Sequence, residues 1–219
     1  VCPAPCMEVC NRGQYDGAVN VRDLERYVGD HTVRPHARRP TRPERIAVIG
    51  SGPAGLSCTY HLARLGYPVT IFEADSELGG VMRTGIPAYR LPRDVLDREI
   101  SFILQHGVTV KTGQRISRQR LLELSHEYDA LFVGTGLQEL RDLNLGRARS
   151  ATVIQGIEFL DRVRRGEVFM TDQRVVVLGG GNTAMDAARS AKRCGARHVV
   201  VAYRRTRAEM PAIKEEIDE

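Results

Sequence analysis

One pattern restricts this chain more than any other: a short apolar run, a glycine-rich turn and a helix-forming stretch, written twice. The first copy is IAVIGSGPAG at residues 46–55 and the second is VVVLGGGNTA at residues 175–184, with 129 residues between Gly50 and Gly179. Apolar runs of this length without polar alternation read as strands buried on both faces. In the first turn, Gly50-Ser51-Gly52-Pro53-Ala54-Gly55, each glycine has its own task. Gly50 permits the tight turn, Gly52 lets the backbone approach a pyrophosphate, and Gly55 lets helix and strand pack closely. The helix N-terminus behind them faces the phosphates. The second turn, Gly179-Gly180-Gly181-Asn182-Thr183-Ala184, repeats the pattern with alanine in the last position. Two copies this far apart are a duplicated function, not a solenoid repeat.

The intervening text alternates strands and helices, which predicts an α/β fold with parallel sheets. VTIFEA, VTVKTG and YDALFVGTG read as strands. PRDVLDREISFILQHG reads as a helix with Pro92 near its start and Gly107 as its stop. SRQRLLELSHE is a helix opened by Ser117, and IQGIEFLDRVRRG is another, ended by Gly166. LGGVMRTGIPAYRLP reads as a long irregular loop. Before the first strand, HTVRPHARRPTRPER is rich in Pro and Arg and lacks apolar periodicity, as linkers do. The expected organisation is a cysteine-led segment at 1–30 ending in a short helix (VRDLERYV), a linker at 31–45, a first nucleotide half at 46–171 and a second at 172–219.

The residues that end the second strand of each copy differ. Glu73 lies 23 residues after Gly50. A carboxylate there accepts hydrogen bonds from ribose hydroxyls and repels a 2′-phosphate. The second copy has Arg204 and Arg205 at the matching place, and guanidinium forks suit a 2′-phosphate. The economical assignment is a flavin, FAD, in the first half and NADPH (or NADH) in the second, the protein aligning the rings and excluding water. Hydride transfer between two cofactors calls for no catalytic side chain of its own. The net charge of +5 is carried almost wholly by arginine, because Lys111, Lys192 and Lys214 are the only lysines. With 5% aromatics, no Trp and no recognition motif, a nucleic-acid partner is not expected. No apolar run reaches the roughly 18 residues of a membrane span.

Five cysteines are present, three of them in the opening VCPAPCMEVC. An odd number crowded at one end is a poor disulfide framework and points to metal in a reducing compartment, the cytoplasm. Cys58 and Cys194 fall in predicted helices and read as small buried hydrophobes. No C-x-x-C flanks either half, so a redox dithiol is not expected.

The stretches GGVMRTGIPAYRLP, GGGNTAMDAARSAKRCGA and AYRRTRAEMPA give the chain its most specific resemblance. It resembles the glutamate synthase small subunit and the N-terminal module of dihydropyrimidine dehydrogenase, with the related large subunit of NADH-dependent ferredoxin:NADP oxidoreductase, over essentially its whole length. The resemblance implies two Rossmann-like, disulfide-reductase-type halves preceded by the end of a helical iron–sulfur domain, with FAD in the first half and NADPH in the second. It places Gly80 and Val81 beside the flavin, Arg90 near the isoalloxazine, the Ile116 backbone at the adenine and Gly134-Thr135-Gly136 along the FAD cleft. It assigns Cys2 and Cys6 to a [4Fe-4S] cluster nearer the flavin and Cys10 to a second one. The position of a glutamine ligand in dihydropyrimidine dehydrogenase falls on Glu25. The spacing of Cys2 and Cys6 is shorter than in the glutamate synthase small subunit.

By the same resemblance the chain is expected to be part of a longer one, with further cluster cysteines upstream and a return to the FAD half downstream. Electrons would pass between NADPH, FAD and the clusters, to or from a partner oxidoreductase subunit or ferredoxin. Two alternatives stay open: an input or output subunit of a 2-oxoacid or ferredoxin oxidoreductase complex, and a non-catalytic electron-conducting subunit.

Overall fold

In the computed structural model, residues 2–32, 37, 39–137 and 153–219 are described. The chain divides into two compact units, residues 1–36 and 37–219.

The first unit holds two helices, α1 (Pro5–Glu8) and α2 (Val21–His31), with a 3₁₀ turn at Asn11–Gln14 between them. Pro5 opens α1, where its missing N–H costs nothing. The Asn20 side chain caps α2 by accepting from the Asp23 N–H. That helix runs through His31, beyond the VRDLERYV stretch, into residues read as linker. Residues 33–36 and 38 of the expected linker lie outside the described residues.

The second unit begins with a four-stranded parallel sheet. Its strands are β1 (Ile46–Ile49), β2 (Val69–Phe72), β3 (Thr109–Lys111) and β4 (Ala130–Val133), in the order β3-β2-β1-β4. Strand β1 is central, pairing in register with β2 (Ile46 with Val69) and with β4 (Ile46 with Ala130). All four of its residues are buried, as a strand covered on both faces must be. Helices α3 (Pro53–Arg64) and α5 (Arg93–Leu104) cover one face through Leu56, Ala63, Leu96 and Ile100. The other face is covered by α6 (Arg118–Glu127), whose Leu124 is fully buried beside Ala47 and Phe72. Between β2 and α5 the expected irregular loop contains a short helix, α4 (Val81–Thr84), closed at Gly85. Pro92 is the cap of α5, and Ser117 Oγ accepts from the Arg120 N–H at 3.2 Å to cap α6.

After residue 152 the chain forms α7 (Gly156–Arg164), β5 (Arg174–Leu178), α8 (Asn182–Arg193), β6 (His198–Ala202) and α9 (Lys214–Asp218). Strands β5 and β6 pair in parallel with Arg174 opposite His198. Their inward side chains, Val175, Val177 and Val199, meet Phe159, Leu160, Ala187 and Ala191 of α7 and α8. The opposite face carries Val176, Leu178 and Val200, all more than half exposed. The valine runs therefore read as two-sided in the sequence but are covered on one side here.

Candidate functional site: two open helix N-termini

The first turn is held by close backbone contacts. Gly50 has φ of +97°, and a Cβ there would lie 2.5 Å from the Gly134 carbonyl oxygen. A Cβ on Gly55 would lie 1.9 Å from the Gly50 carbonyl oxygen, so the helix sits directly on the turn. Gly52 is different. Its φ of −69° and ψ of −174° suit any residue, and a Cβ on it would meet nothing within 4 Å. Neither conformation nor internal packing demands glycine there. The open space lies before the N-terminus of α3, which has no side-chain cap and has Pro53 and Ala54 as its first residues. Free N–H groups and the helix dipole converge on it, the arrangement that holds a pyrophosphate.

Several of the other expected FAD residues lie at this turn. A Cβ on Gly80, whose φ is +51°, would lie 2.9 Å from Gly52 Cα, so the start of α4 leans on the glycine turn. Val81 beside it is 47% exposed. Gly134, Thr135 and Gly136 follow β4, and the Gly134 N–H donates to the Ile49 carbonyl at 2.8 Å. Glu73 is 7% exposed, and its Oε2 accepts from Ser51 N at 2.8 Å and Ser51 Oγ at 2.5 Å. Its Oε1 accepts from Asp75 N at 2.9 Å. Glu73 thus ties the end of β2 to the turn, and a lone pair on Oε1 is left for a ribose hydroxyl. Ile116 lies just before α6, half-buried against the cluster around Leu124.

In the second turn Gly179 has φ of +137°. Gly180 lies under Tyr203: a Cβ on it would meet that ring at 2.7 Å. Gly181 repeats Gly52, with nothing within 4 Å of a Cβ and no side-chain cap on α8 behind it. Asn182 Oδ1 accepts from the Ile213 N–H at 2.8 Å and anchors the segment after β6, while Ala184 is buried. The methyl of Thr183 lies near Gly156. Arg204 and Arg205 come one residue after β6, past Tyr203, and are exposed, and neither makes a hydrogen bond or ion pair among the described residues. Two uncommitted guanidiniums at the strand end beside an open helix N-terminus are available to a phosphate.

Arg90 joins the halves. It pairs with Asp186 of α8 at 2.7 Å and with Glu216 of α9 at 2.8 Å, its own side chain 9% exposed. Asp186 is 4% exposed, and its Oδ1 has no hydrogen-bond partner among the described residues. Burial pushes the Asp186 carboxyl above the ordinary carboxylate range, against the pull of Arg90, while Glu216 pushes the same way as burial. Sequence reasoning missed Asp186 and Glu216. The available signal was a charged residue among Ala184, Ala187 and Ala191 on the small-residue face of α8.

In the first unit Cys2 and Cys6 are exposed and Cys10 is half-buried. Cys2 Sγ accepts from the Ala4 N–H at 3.4 Å. Backbone N–H groups, first that of Val19 and then that of Arg12, lower the Cys10 thiol pKa, the setting a thiolate ligand needs. Glu25 is exposed on α2. Among the described residues no group of three or more His, Cys, Asp or Glu side chains is placed to hold a metal ion, so Cys2, Cys6, Cys10 and Glu25 are not brought together as one set. Cys58 and Cys194 are half-buried, and burial pushes both thiols up, as inert packing cysteines require.

Residues 44–219 match the family model described as pyridine nucleotide-disulphide oxidoreductase. The chain belongs to that family. Among curated relatives it is 40% identical to the NADP(+)-dependent formate dehydrogenase subunit beta of Moorella thermoacetica, covering 99% of this chain and 35% of that protein. It is 34% identical to the glutamate synthase [NADPH] small chain of Escherichia coli, covering 99% of this chain and 50% of that protein. The resemblance read from the motifs is confirmed. The chain thus spans about a third to a half of these relatives. Among solved structures, Mycobacterium tuberculosis FprA in complex with NADPH aligns with a TM-score of 0.69 at 20% identity, covering 80% of this chain and 46% of that chain. That likeness concerns the fold. This family member has two dinucleotide-type turns whose geometry fits FAD and NADPH. Among the described residues no helix is long and apolar enough to cross a membrane.

Proposed function

We propose that the chain is a module of an NADPH-dependent oxidoreductase that moves electrons between NADPH, FAD and [4Fe-4S] clusters, to or from a partner subunit or ferredoxin. The observation that carries this reading is the pair of open helix N-termini at Gly52 and Gly181, one beside a buried carboxylate and the other beside two free arginines. When bound, a flavin and a nicotinamide supply the two-electron chemistry. The chain's residues orient and select. Ala54 and Gly55 offer N–H groups to the first pyrophosphate, Glu73 Oε1 accepts from a ribose hydroxyl, and the Ile116 backbone and Gly134–Gly136 line the cleft. Gly181, Asn182 and Thr183 begin the second phosphate site, and Arg204 and Arg205 bind the 2′-phosphate. Cys2 and Cys6 serve one cluster and Cys10 another, with Glu25 as a hard oxygen ligand. Relatives named as the beta subunit of one enzyme and the small chain of another support a partner subunit. Free cysteines support a reducing cytoplasm.

Anaerobic mixing of the full-length, flavin-loaded protein with NADPH tests the reading: the flavin absorbance is expected to bleach. Replacing both Arg204→Ala and Arg205→Ala is expected to raise KM for NADPH about tenfold to a hundredfold, the loss of one or more charged contacts, and to leave KM for NADH nearly unchanged. Equal use of NADH and NADPH by the unaltered protein would give the arginines another role. For Glu25→Ala, the electron paramagnetic resonance spectrum of the reduced full-length protein is expected to change at one cluster only; an unchanged spectrum removes Glu25 from the ligand set.

A further inference from the structure

A cavity of about 320 Å³ opens between the loop Pro87–Arg93, α7 and α8. It lies toward the end of α8 away from the Gly179–Ala184 turn, and none of the residues assigned above to a nucleotide lines it. Leu160 and Val163 of α7 form an apolar wall. The polar side is formed by Tyr89, Arg93, Ser190 and Arg193. Ser190 is 2% exposed, and among the described residues its Oγ meets only the Tyr89 hydroxyl, without good hydrogen-bond geometry. A buried hydroxyl left unpaired is costly unless something fills the space before it.

The nearby charge is positive and only partly compensated. Arg164, also at the rim, is neutralised by Glu77 at 2.8 Å and Asp161 at 2.9 Å. Among the described residues Arg93 has no carboxylate partner of its own: it donates to the Met82 carbonyl at 3.0 Å and the Ile86 carbonyl at 2.8 Å, leaving N–H groups unused there. Burial, then the charges of Arg83 and Arg164, make the Arg93 guanidinium a stronger acid than usual. Arg193 makes no ion pair among the described residues and lies over the Tyr89 ring at 3.9 Å. The Tyr89 hydroxyl gives a long bond, 3.4 Å, to the Asp186 carbonyl. Burial holds it neutral and able to donate, outweighing a weak hydrogen bond with Ser190 that pulls its pKa down.

We infer that this cavity binds a small organic acid, its carboxylate met by Arg93, Arg193 and the Ser190 hydroxyl and its apolar, ring-sized body lying against Leu160 and Val163. A phosphate or a fully polar anion would waste the apolar wall, and a neutral apolar molecule would leave the guanidiniums and the hydroxyl unsatisfied.

Benzoate is a suitable probe, titrated calorimetrically into the full-length, cofactor-loaded protein. The expected result is one site per chain, with Kd raised about tenfold or more by Arg193→Gln, the loss of one charged contact. Ser190→Ala is expected to weaken binding less, and benzamide, the same body without the charge, is expected not to bind. Arg193 is exposed, so the variant should fold, and its flavin content and flavin reduction by NADPH should match the unaltered protein. Absence of a benzoate heat, equal binding by benzamide, or a Kd untouched by Arg193→Gln would each overturn the inference. So would displacement of benzoate by NADPH, which would put it in the nucleotide site. Failure of the nucleotide reading shows instead in flavin reduction, so the two outcomes are separable.

Discussion

Gly50 and Gly52 are two residues apart and do opposite things. Gly50 answers to the chain: its positive φ and the Gly134 oxygen 2.5 Å from a would-be Cβ leave no room for a side chain. Gly52 answers to whatever lies outside the chain, since nothing inside lies within 4 Å of a would-be Cβ on it. Gly50→Ala is therefore expected to lower the melting temperature sharply, because backbone has to move at the junction of two strands. Gly52→Val is expected to give a folded, soluble protein without the yellow flavin band. Full flavin occupancy in the Gly52→Val variant would place the flavin elsewhere. Both glycines were legible in the sequence as members of one motif. Their separate tasks were legible there too; what the fold adds is the distances around each Cβ.

The elements around the site show how far local signals carry. The Ser117 cap and the Pro92 start were legible because capping depends on one or two neighbouring residues. Ser117 Oγ accepts from the Arg120 N–H, and α6 places Leu124, fully buried, on the sheet. Ser117→Ala is expected to cost about 1 kcal/mol, seen as a lower denaturant midpoint in the full-length protein, with Ser117→Asp close to the unaltered value. No shift in the alanine variant would mean that the cap is redundant with packing. Helix α4 was not legible. Four residues between Gly80 and Gly85 carry too little periodicity, and the turn forms because Gly80 is held against Gly52. The strands β5 and β6 misled in another way. Their continuous valines suggest cover on both sides, whereas α7, α8 and the segment after β6 cover one face, and Val176, Leu178 and Val200 on the other are exposed.

Across the second unit, Arg90 is the residue on which the two nucleotide halves depend together. Its partners Asp186 and Glu216 come from the second half. Arg90→Ala leaves Asp186 buried and without its cation, a loss of about 3–5 kcal/mol for a broken buried pair. The pH dependence follows from the direction of the Asp186 shift. Its carboxyl is already raised in the folded protein, so the stability contributed by its neutral form is present below the unfolded pKa and is lost as pH rises through the folded value. Removing Arg90 raises that folded value further. The destabilisation is thus expected to be full at neutral pH and to shrink as pH falls through the carboxylate range. Adding Asp186→Asn should recover much of it at neutral pH. Melting curves of the three full-length variants at neutral and acid pH check this, and a penalty independent of pH would mean that Arg90 acts through packing alone.

By itself the sequence determined the α/β class, the two glycine turns, the acidic and basic strand ends, and the family. Each of these is written in contiguous residues whose chemistry works at short range: an apolar run, a φ only glycine tolerates, a charge at the end of a strand. Only the tertiary structure decided which glycines face open space, that Glu73 is spent partly on Ser51, and that Arg90 reaches into the second half to meet Asp186 and Glu216. The same holds for the cavity behind Tyr89, whose walls come from residues 87–93, 160–164 and 190–193. Such features depend on contacts between residues distant in the chain, 22 positions apart for Ser51 and Glu73 and 96 for Arg90 and Asp186. Their geometry is set by how the strands and helices pack, and packing is a property of the assembled core that no local stretch of the chain carries.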